Sequence, residues 1–166
     1  MYKRQVLRFG KFVRSADPGL QFRLPFGIER VLKVPVQRQL KEEFGFRTVR
    51  ADIRTEYADG GHEAEANMLT GDLNVVDVTW IIQYQIRDAK DFLFNVHNVP
   101  KNLFDISEAV MRQIIGDYTF SEAITEEREH IAQLAMTTMQ KILDEYKMGI
   151  KLVALELQDV YPPDEV

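Results

Sequence analysis

Side chains able to do covalent chemistry are few. The serines are Ser15, Ser107 and Ser121, the histidines are His62, His97 and His130, and there is no cysteine. A serine nucleophile needs a base within hydrogen-bond reach and a third group to orient that base. No local spacing in this chain builds such a set. Without cysteine, thiolate nucleophiles, disulfides and Cys-based zinc or iron–sulfur sites are excluded together. His62-Glu63-Ala64-Glu65 resembles a fragment of a zinc-protease helix, yet the second histidine that belongs one turn later is missing. The adjacent carboxylates Glu42-Glu43, Glu126-Glu127 and Asp144-Glu145 point in different directions on any helix or strand, so they read as solvated charges rather than acid–base pairs. Gly60-Gly61 sits in a polar stretch and makes no phosphate cradle. The expectation is a protein that is not an enzyme, with no catalytic residue, no cofactor and no metal site.

The elements that would position any surface begin with two strands, residues 6–13 and 20–26, joined by Ser15-Ala16-Asp17-Pro18-Gly19, whose Pro-Gly pair supplies turn chemistry. A third strand puts Ile28, Arg30, Leu32, Val34 and Val36 on one face, and Pro35 suits a sheet edge. Residues 38–66 turn polar and irregular, an excursion with one strand at 47–55. Strict alternation follows: Val76, Val78, Trp80, Ile82, Tyr84 and Ile86 form an apolar face opposite Asp77, Thr79, Gln83 and Gln85, the signature of a strand with one buried side. Residues 66–70 pair back on it through Gly71-Asp72.

From Asp88 the period becomes helical. Asp88 caps a short helix at 89–95. Pro100 opens a second, with Leu103, Ile106, Val110 and Ile114 on one face and Gly116 as its stop. Thr119 to Glu122 is a capping box, and Thr125 caps a long helix to about Met148, with Ile131, Leu134, Ala135, Ile142, Leu143 and Tyr146 as its apolar stripe and Gly149 as its end. A last strand at 150–160 closes the domain before Tyr161-Pro162-Pro163. The fold class is α+β, with a mostly antiparallel sheet and hairpins first, helices next and a closing strand.

Within 166 residues, enough to bury a core unaided, the charge is divided. Residues 1–55 hold 13 Lys+Arg against 5 Asp+Glu, a net of +8, whereas residues 56–166 hold 8 against 21, a net of −13. Arg8, Lys11, Arg14, Arg23, Arg30 and Lys33 interleave with Phe9, Phe12, Phe22 and Phe26. Such a pattern can imitate a base-stacking platform, but the chain is acidic overall and carries no RNA-binding motif, so nucleic acid is not expected. A basic, aromatic hairpin resting on anionic lipid explains the same residues. No stretch is long and apolar enough to span a bilayer.

Read in order, several segments resemble one known family. They are Val6-Leu7-Arg8-Phe9-Gly10-Lys11-Phe12, Pro18-Gly19-Leu20-Gln21-Phe22-Arg23-Leu24-Pro25-Phe26, and Met68-Leu69-Thr70-Gly71-Asp72-Leu73-Asn74-Val75-Val76-Asp77-Val78. Gln83-Tyr84-Gln85-Ile86, Leu93-Phe94-Asn95-Val96, Glu108-Ala109-Val110-Met111-Arg112 and Leu157-Gln158-Asp159-Val160-Tyr161-Pro162-Pro163 continue the series. The chain resembles the band-7 (SPFH) domain of stomatin, prohibitin and flotillin-like proteins, in the HflK branch of bacterial membrane protease modulators.

That resemblance implies a non-catalytic membrane scaffold that assembles with itself or with an HflC-like paralogue and associates with the AAA+ protease FtsH. The second reading is a stomatin-like organiser of membrane lipid without a protease partner. It also implies the bacterial inner membrane, with the domain on the periplasmic face. A transmembrane anchor is expected before Val6 and a helical coil after Val166. Residues 1–5 stand outside the resemblance and read as an adapter-derived, non-native segment, leaving residues 6–166 as a single band-7 domain from a longer chain. The expected membrane-facing residues are Arg8, Phe9, Lys11, Phe12, Arg14, Phe22, Arg23 and Phe26; the expected oligomer interface is Ile131, Leu134, Tyr146, Tyr161 and Pro162.

Overall fold

The computed structural model describes residues 2–17, 19, 28–45, 48–50, 56–57, 66–124 and 127–161. Its elements in chain order are β1 (Tyr2–Arg8), β2 (Lys11–Ala16), β3 (Glu29–Pro35), β4 (Gln39–Phe44), β5 (Thr48–Arg50), β6 (Glu56–Tyr57), β7 (Asn67–Leu69), β8 (Val75–Ile86), α1 (Ala89–Phe94), α2 (Val99–Ile115), α3 (Phe120–Ile124), α4 (Arg128–Glu145) and β9 (Ile150–Tyr161). Antiparallel sheets fill the N-terminal half and helices the C-terminal half, and a C-terminal strand returns to close the main sheet.

Strand β8 organises that sheet. On one side β9 pairs with it from Asp77↔Tyr161 to Ile86↔Ile150; on the other, β4 pairs with residues 80–85 and β7 with residues 75–77. Val76, Val78, Trp80, Ile82, Tyr84 and Ile86 are each at most 2% exposed, as the alternation requires. The opposite face is less open than alternation suggests, because Thr79 and Ile81 are also buried. Helices α2 and α4 pack on the sheet and on each other. Trp80 stacks on Phe44 at 4.7 Å, and Phe44 on Phe104 of α2 at 4.8 Å. The Trp80 indole N–H donates to Ser107 Oγ at 2.8 Å, so this serine serves the core. Burying each such large apolar side chain contributes about 1.5–3 kcal/mol.

The small sheet has the order β2-β1-β3. Its first turn differs from the sequence expectation of one strand through residues 6–13. The chain reverses at Phe9-Gly10, with φ of 50° and 82°, the two-residue geometry whose backbone twist suits a hairpin. Ser15 and Ala16 therefore lie inside β2, paired with Gln5 and Arg4, instead of in a turn. A bulge leaves Val13 without a register partner, and its side chain is exposed. The strand expected at 20–26 lies outside the described residues. Residues Tyr2 to Gln5 belong to β1 and pair with β3.

In β3 the proposed apolar face breaks down. Leu32 is exposed, whereas Val34 packs with Ile86 and Ala89, and Glu29 is buried against arginines. Pro35 does end an edge strand. Strand β4 was hidden by its polar sequence, Gln39 to Phe44, and forms because β8 offers a ladder to pair with.

The helix signals hold closely. Asp88 Oδ1 accepts the N–H groups of Lys90 and Asp91, and Thr119 and Glu122 cap one another reciprocally. Helix α4 runs from Arg128 to Glu145, shorter than 125–148; the expected cap Thr125 lies outside the described residues. It ends early because Lys147 and Gly149 take positive φ, which turns the chain into β9. Gly149 O accepts the N–H groups of Arg87 and Asp88, tying this turn to the end of β8. A Cβ on Gly149 would lie 2.4 Å from Asp88 O and 2.6 Å from Phe92 N. Gly149→Ala is accordingly expected to destabilise the fold by about 3 kcal/mol, from positive φ and steric overlap together. Urea unfolding measures this, and a loss under about 1 kcal/mol would show that the two turns are not tightly joined.

Candidate functional site

Two ends of the molecule carry unusual surface chemistry. At the first, the β1–β2 hairpin raises Phe9 to 80% exposure at its tip. Strand register places Arg4, Arg8, Lys11, Arg14 and Lys33 on one face of the small sheet, around Glu29. Arg8 Nη2 lies 2.9 Å from Glu29 Oε1, and Arg14 Nη2 lies 4.0 Å from Oε2. The Glu29 side chain is 3% exposed while both arginines are about half exposed, so one buried carboxylate anchors two cations that still reach solvent. The other face carries Phe12, which packs on Phe94 at 5.7 Å, with Lys90 Nζ 5.4 Å from the Phe12 ring centroid. Strand register thus groups five of the cations on one face, while Arg30, opposite Leu7, shares the face of Phe12.

The structure therefore brings Arg8, Phe9, Lys11, Phe12 and Arg14 together at one end. Phe22, Arg23 and Phe26 lie outside the described residues. Glu29, Lys90 and Phe94 join this end without having been expected there. Lys90 and Phe94 are spaced i, i+4 on α1, a signal that could have paired them but could not have said what they would meet.

At the far end of β8, the segment Thr70 to Asn74 closes the β7–β8 hairpin. Leu73 N–H donates to Thr70 O and Thr70 N–H to Asn74 O. Asp72 accepts from Thr70 Oγ1 at 2.5 Å, from Asn74 Nδ2 at 2.8 Å and from the Phe120 N–H at 3.2 Å, so it binds the turn to the start of α3. Gly71 N–H donates to Tyr118 O at 2.8 Å, an approach that a Cβ would crowd at 3.0 Å from Gly116 O. The Thr70 hydroxyl is the main cause holding the Asp72 carboxyl below its ordinary value, and the Thr119 N–H does the same for Glu122. Leu73 has φ of 64° in a position that normally takes glycine, at a strain of about 1–2 kcal/mol, and is 78% exposed.

The expected interface residues do not share one environment. Ile131 is fully buried and belongs to the core; the α4 stripe that packs inward is Ile131, Ala135, Met139 and Leu143. Leu134 and Tyr146 lie off that stripe and are exposed, as is Tyr161 at the end of β9. Pro162 lies outside the described residues. Side chains of α4 meet the outer edge of β9 near its two ends. Gln140 accepts the Leu152 N–H and donates to Ile150 O, and Arg128 donates to Leu157 O and Gln158 O.

Among the described residues no group of ligating side chains could hold a metal ion, and no helix is long and apolar enough to cross a membrane. His97 and His130 are exposed, and His62 lies outside the described residues. Ser15 Oγ donates to Gln5 Oε1. Burial, then Glu42, pushes the Tyr84 phenol up to about 12, so it stays protonated at neutral pH.

Residues 4–166 match the SPFH domain / Band 7 family. Protein HflK of Treponema pallidum (strain Nichols) is 42% identical over 164 residues, spanning 97% of this chain and 49% of that protein. Protein HflK of Borreliella burgdorferi is 35% identical over 158 residues, 95% of this chain and 50% of that protein. The Escherichia coli (strain K12) protein named Modulator of FtsH protease HflK is 30% identical over 161 residues, 97% of this chain and 33% of that protein. The chain thus spans between about a third and a half of the length of these relatives.

The lowered carboxyls of Asp72 and Glu122 set the sign of a pH effect. Their contribution to stability is complete above the ordinary carboxylate pKa and is lost as pH falls through the lowered one. Asp72→Asn should therefore melt below the parent at about pH 7, with the gap narrowing by about pH 3 as the parent's own carboxyl protonates. A gap that stays constant across this range would mean that the Asp72 charge does not bind the turn.

Proposed function

The chain belongs to the SPFH domain / Band 7 family, and from that premise we propose that it is a non-catalytic, membrane-associated scaffold that oligomerises and modulates an FtsH-like AAA+ protease. The observation that carries this reading is its similarity, over 161 residues, to a protein named for modulating that protease. Further support comes from the fate of Ser107, which lies in the core as the hydrogen-bond partner of Trp80 and is withdrawn from any substrate. The surfaces are suited to contact: five cations on one sheet face beside an exposed phenylalanine, and exposed apolar residues along α4 and β9.

In this reading the hairpin end rests on anionic lipid. Each Lys or Arg near such a surface is worth about 1 kcal/mol, and Phe9 enters the headgroup boundary. Copies of the chain, alone or alternating with an HflC-like paralogue, assemble beside the protease and limit which substrates reach it. Such control makes and breaks no bond, so it needs positioned surfaces rather than reactive groups. The setting is the bacterial inner membrane, periplasmic side, with the anchor in the part of the protein beyond this domain.

The test is a full-length protein reconstituted with an FtsH-type protease in vesicles of phosphatidylglycerol and phosphatidylcholine. Turnover of a membrane-embedded substrate should change when the protein is added. Phe9→Asp with Lys11→Glu, which leaves the Arg8–Glu29 pair intact, should weaken binding of the domain to anionic vesicles by about tenfold or more. Unchanged turnover would overturn the protease reading, and undiminished vesicle binding would overturn the hairpin's role.

A further inference from the structure

Helix α1 lies against the face of the small sheet that carries Phe12: the Phe12 ring meets Phe94, and Val34 packs with Ala89 beside Leu93. Exposed apolar side chains gather at this end of the molecule, with Phe94 39%, Leu32 40%, Val13 47% and Phe9 80% exposed. Phe94 has a second setting. It also lines an open cavity of about 470 Å³ between the end of α1 and the start of α2. Apolar side chains make most of the wall, among them Phe92, Val96 and Val99, while His97 and Asn98 are its polar residues. That size and that mixture suit a small amphipathic molecule. Two helices and their connection supply the whole lining, so no strand edge borders the cavity to pair with a peptide backbone.

Charge here favours an anion. Residues 92–104 contain no Asp or Glu, and Lys101 is exposed in the first turn of α2, next to the lining residue Pro100. Lys90 stands one turn before Phe94 on the same face of α1. The carboxylates at the start of α1 are engaged in local bonds: Asp88 accepts the N–H groups of Lys90 and Asp91, and Asp91 accepts from Asn95 Nδ2 at 2.9 Å. Through Phe94 the cavity adjoins Phe12 and the hairpin, the part of the molecule read above as resting on lipid. An apolar hollow with cations beside it, set next to such a surface, fits a lipid drawn from that surface.

We propose that the α1–α2 cavity holds one acyl chain of an anionic phospholipid from the bilayer, with the phosphate facing His97 and Lys101. The proposal rests on the membrane reading above and gives it a discrete lipid site in addition to a diffuse basic surface. Phe9 then touches bulk lipid, whereas Phe94 touches one bound molecule.

That difference can be measured in the full-length protein reconstituted in phosphatidylcholine vesicles that contain increasing fractions of phosphatidylglycerol brominated on its acyl chains. Tryptophan emission of Phe94→Trp, after subtraction of the parent signal, should be quenched along a saturating curve. Quenching of Phe9→Trp should rise in proportion to the brominated fraction, with its half-point at a fraction at least about fivefold higher. Lys101→Glu, an exposed change that suits the N-terminal turn of a helix, should raise the Phe94→Trp half-point by about threefold or more and leave Phe9→Trp unchanged. Quenching at 94 that is proportional, or that ignores Lys101→Glu, overturns the discrete anionic-lipid site and leaves the hairpin on the membrane. Absence of quenching at 94 with quenching at 9 also overturns the site, and leaves the cavity to a protein partner or to solvent. Absence at both positions overturns the site and the membrane reading together.

Discussion

Strand β8 must be hydrogen-bonded on both sides, and the rest of the molecule is arranged to meet that demand. Twelve residues of alternating apolar character, one face buried under α2 and α4, leave two rows of backbone donors and acceptors that cannot be left unpaired. The chain answers one row with β9, its last element, and the other with β4 and β7 end to end. Closing the sheet with the final strand joins the N-terminal and C-terminal halves into one cooperative unit. The turn at Gly149 fixes that closure by bonding to the residues where β8 gives way to α1.

The same rod separates the two surfaces that matter. At its C-terminal end, Ile86 meets Val34 of β3 and so positions the small sheet with its cations and Phe9. At its N-terminal end, the Thr70–Asn74 turn is held against α3 by Asp72. The hairpin cations are not alone at their end, because Asp88, Asp91 and Asp144 lie where β8 gives way to α1, with Asp144 paired to Arg87. In the proposed reading the hairpin end, with its cations and exposed Phe9, is the one that rests on an anionic surface.

Much of this was legible in the residues. The alternation from Val76 to Ile86, the Asp88 cap and the Thr119–Glu122 box each follow from a local rule that the structure obeys, whereas Gly149 turns the chain into β9 after a helix that already ends at Glu145. What escaped was decided by tertiary context. Nothing local marks Gln39 to Phe44 as a strand; the open side of β8 makes it one. Phe9-Gly10 does not read as a turn because Phe is an unusual residue at positive φ, and Leu73 conceals its left-handed turn for the same reason. The buried α4 stripe is narrower than its apolar composition suggests: Leu134 and Tyr146 are exposed, and Met139 joins Ile131, Ala135 and Leu143 in the core. The hairpin end was recognisable as basic and aromatic, yet the burial of Glu29 among its arginines required the fold.

The account's central claim is that the two ends of β8 face different environments when the protein is in place on a membrane. Spin labels attached through Val13→Cys and, separately, Leu73→Cys would measure this directly in phosphatidylglycerol vesicles, using a lipid-soluble and a water-soluble relaxation agent. The label at 13 should respond chiefly to the lipid-soluble agent and the label at 73 to the water-soluble one. Equal responses at the two positions, or the reverse order, would contradict the account.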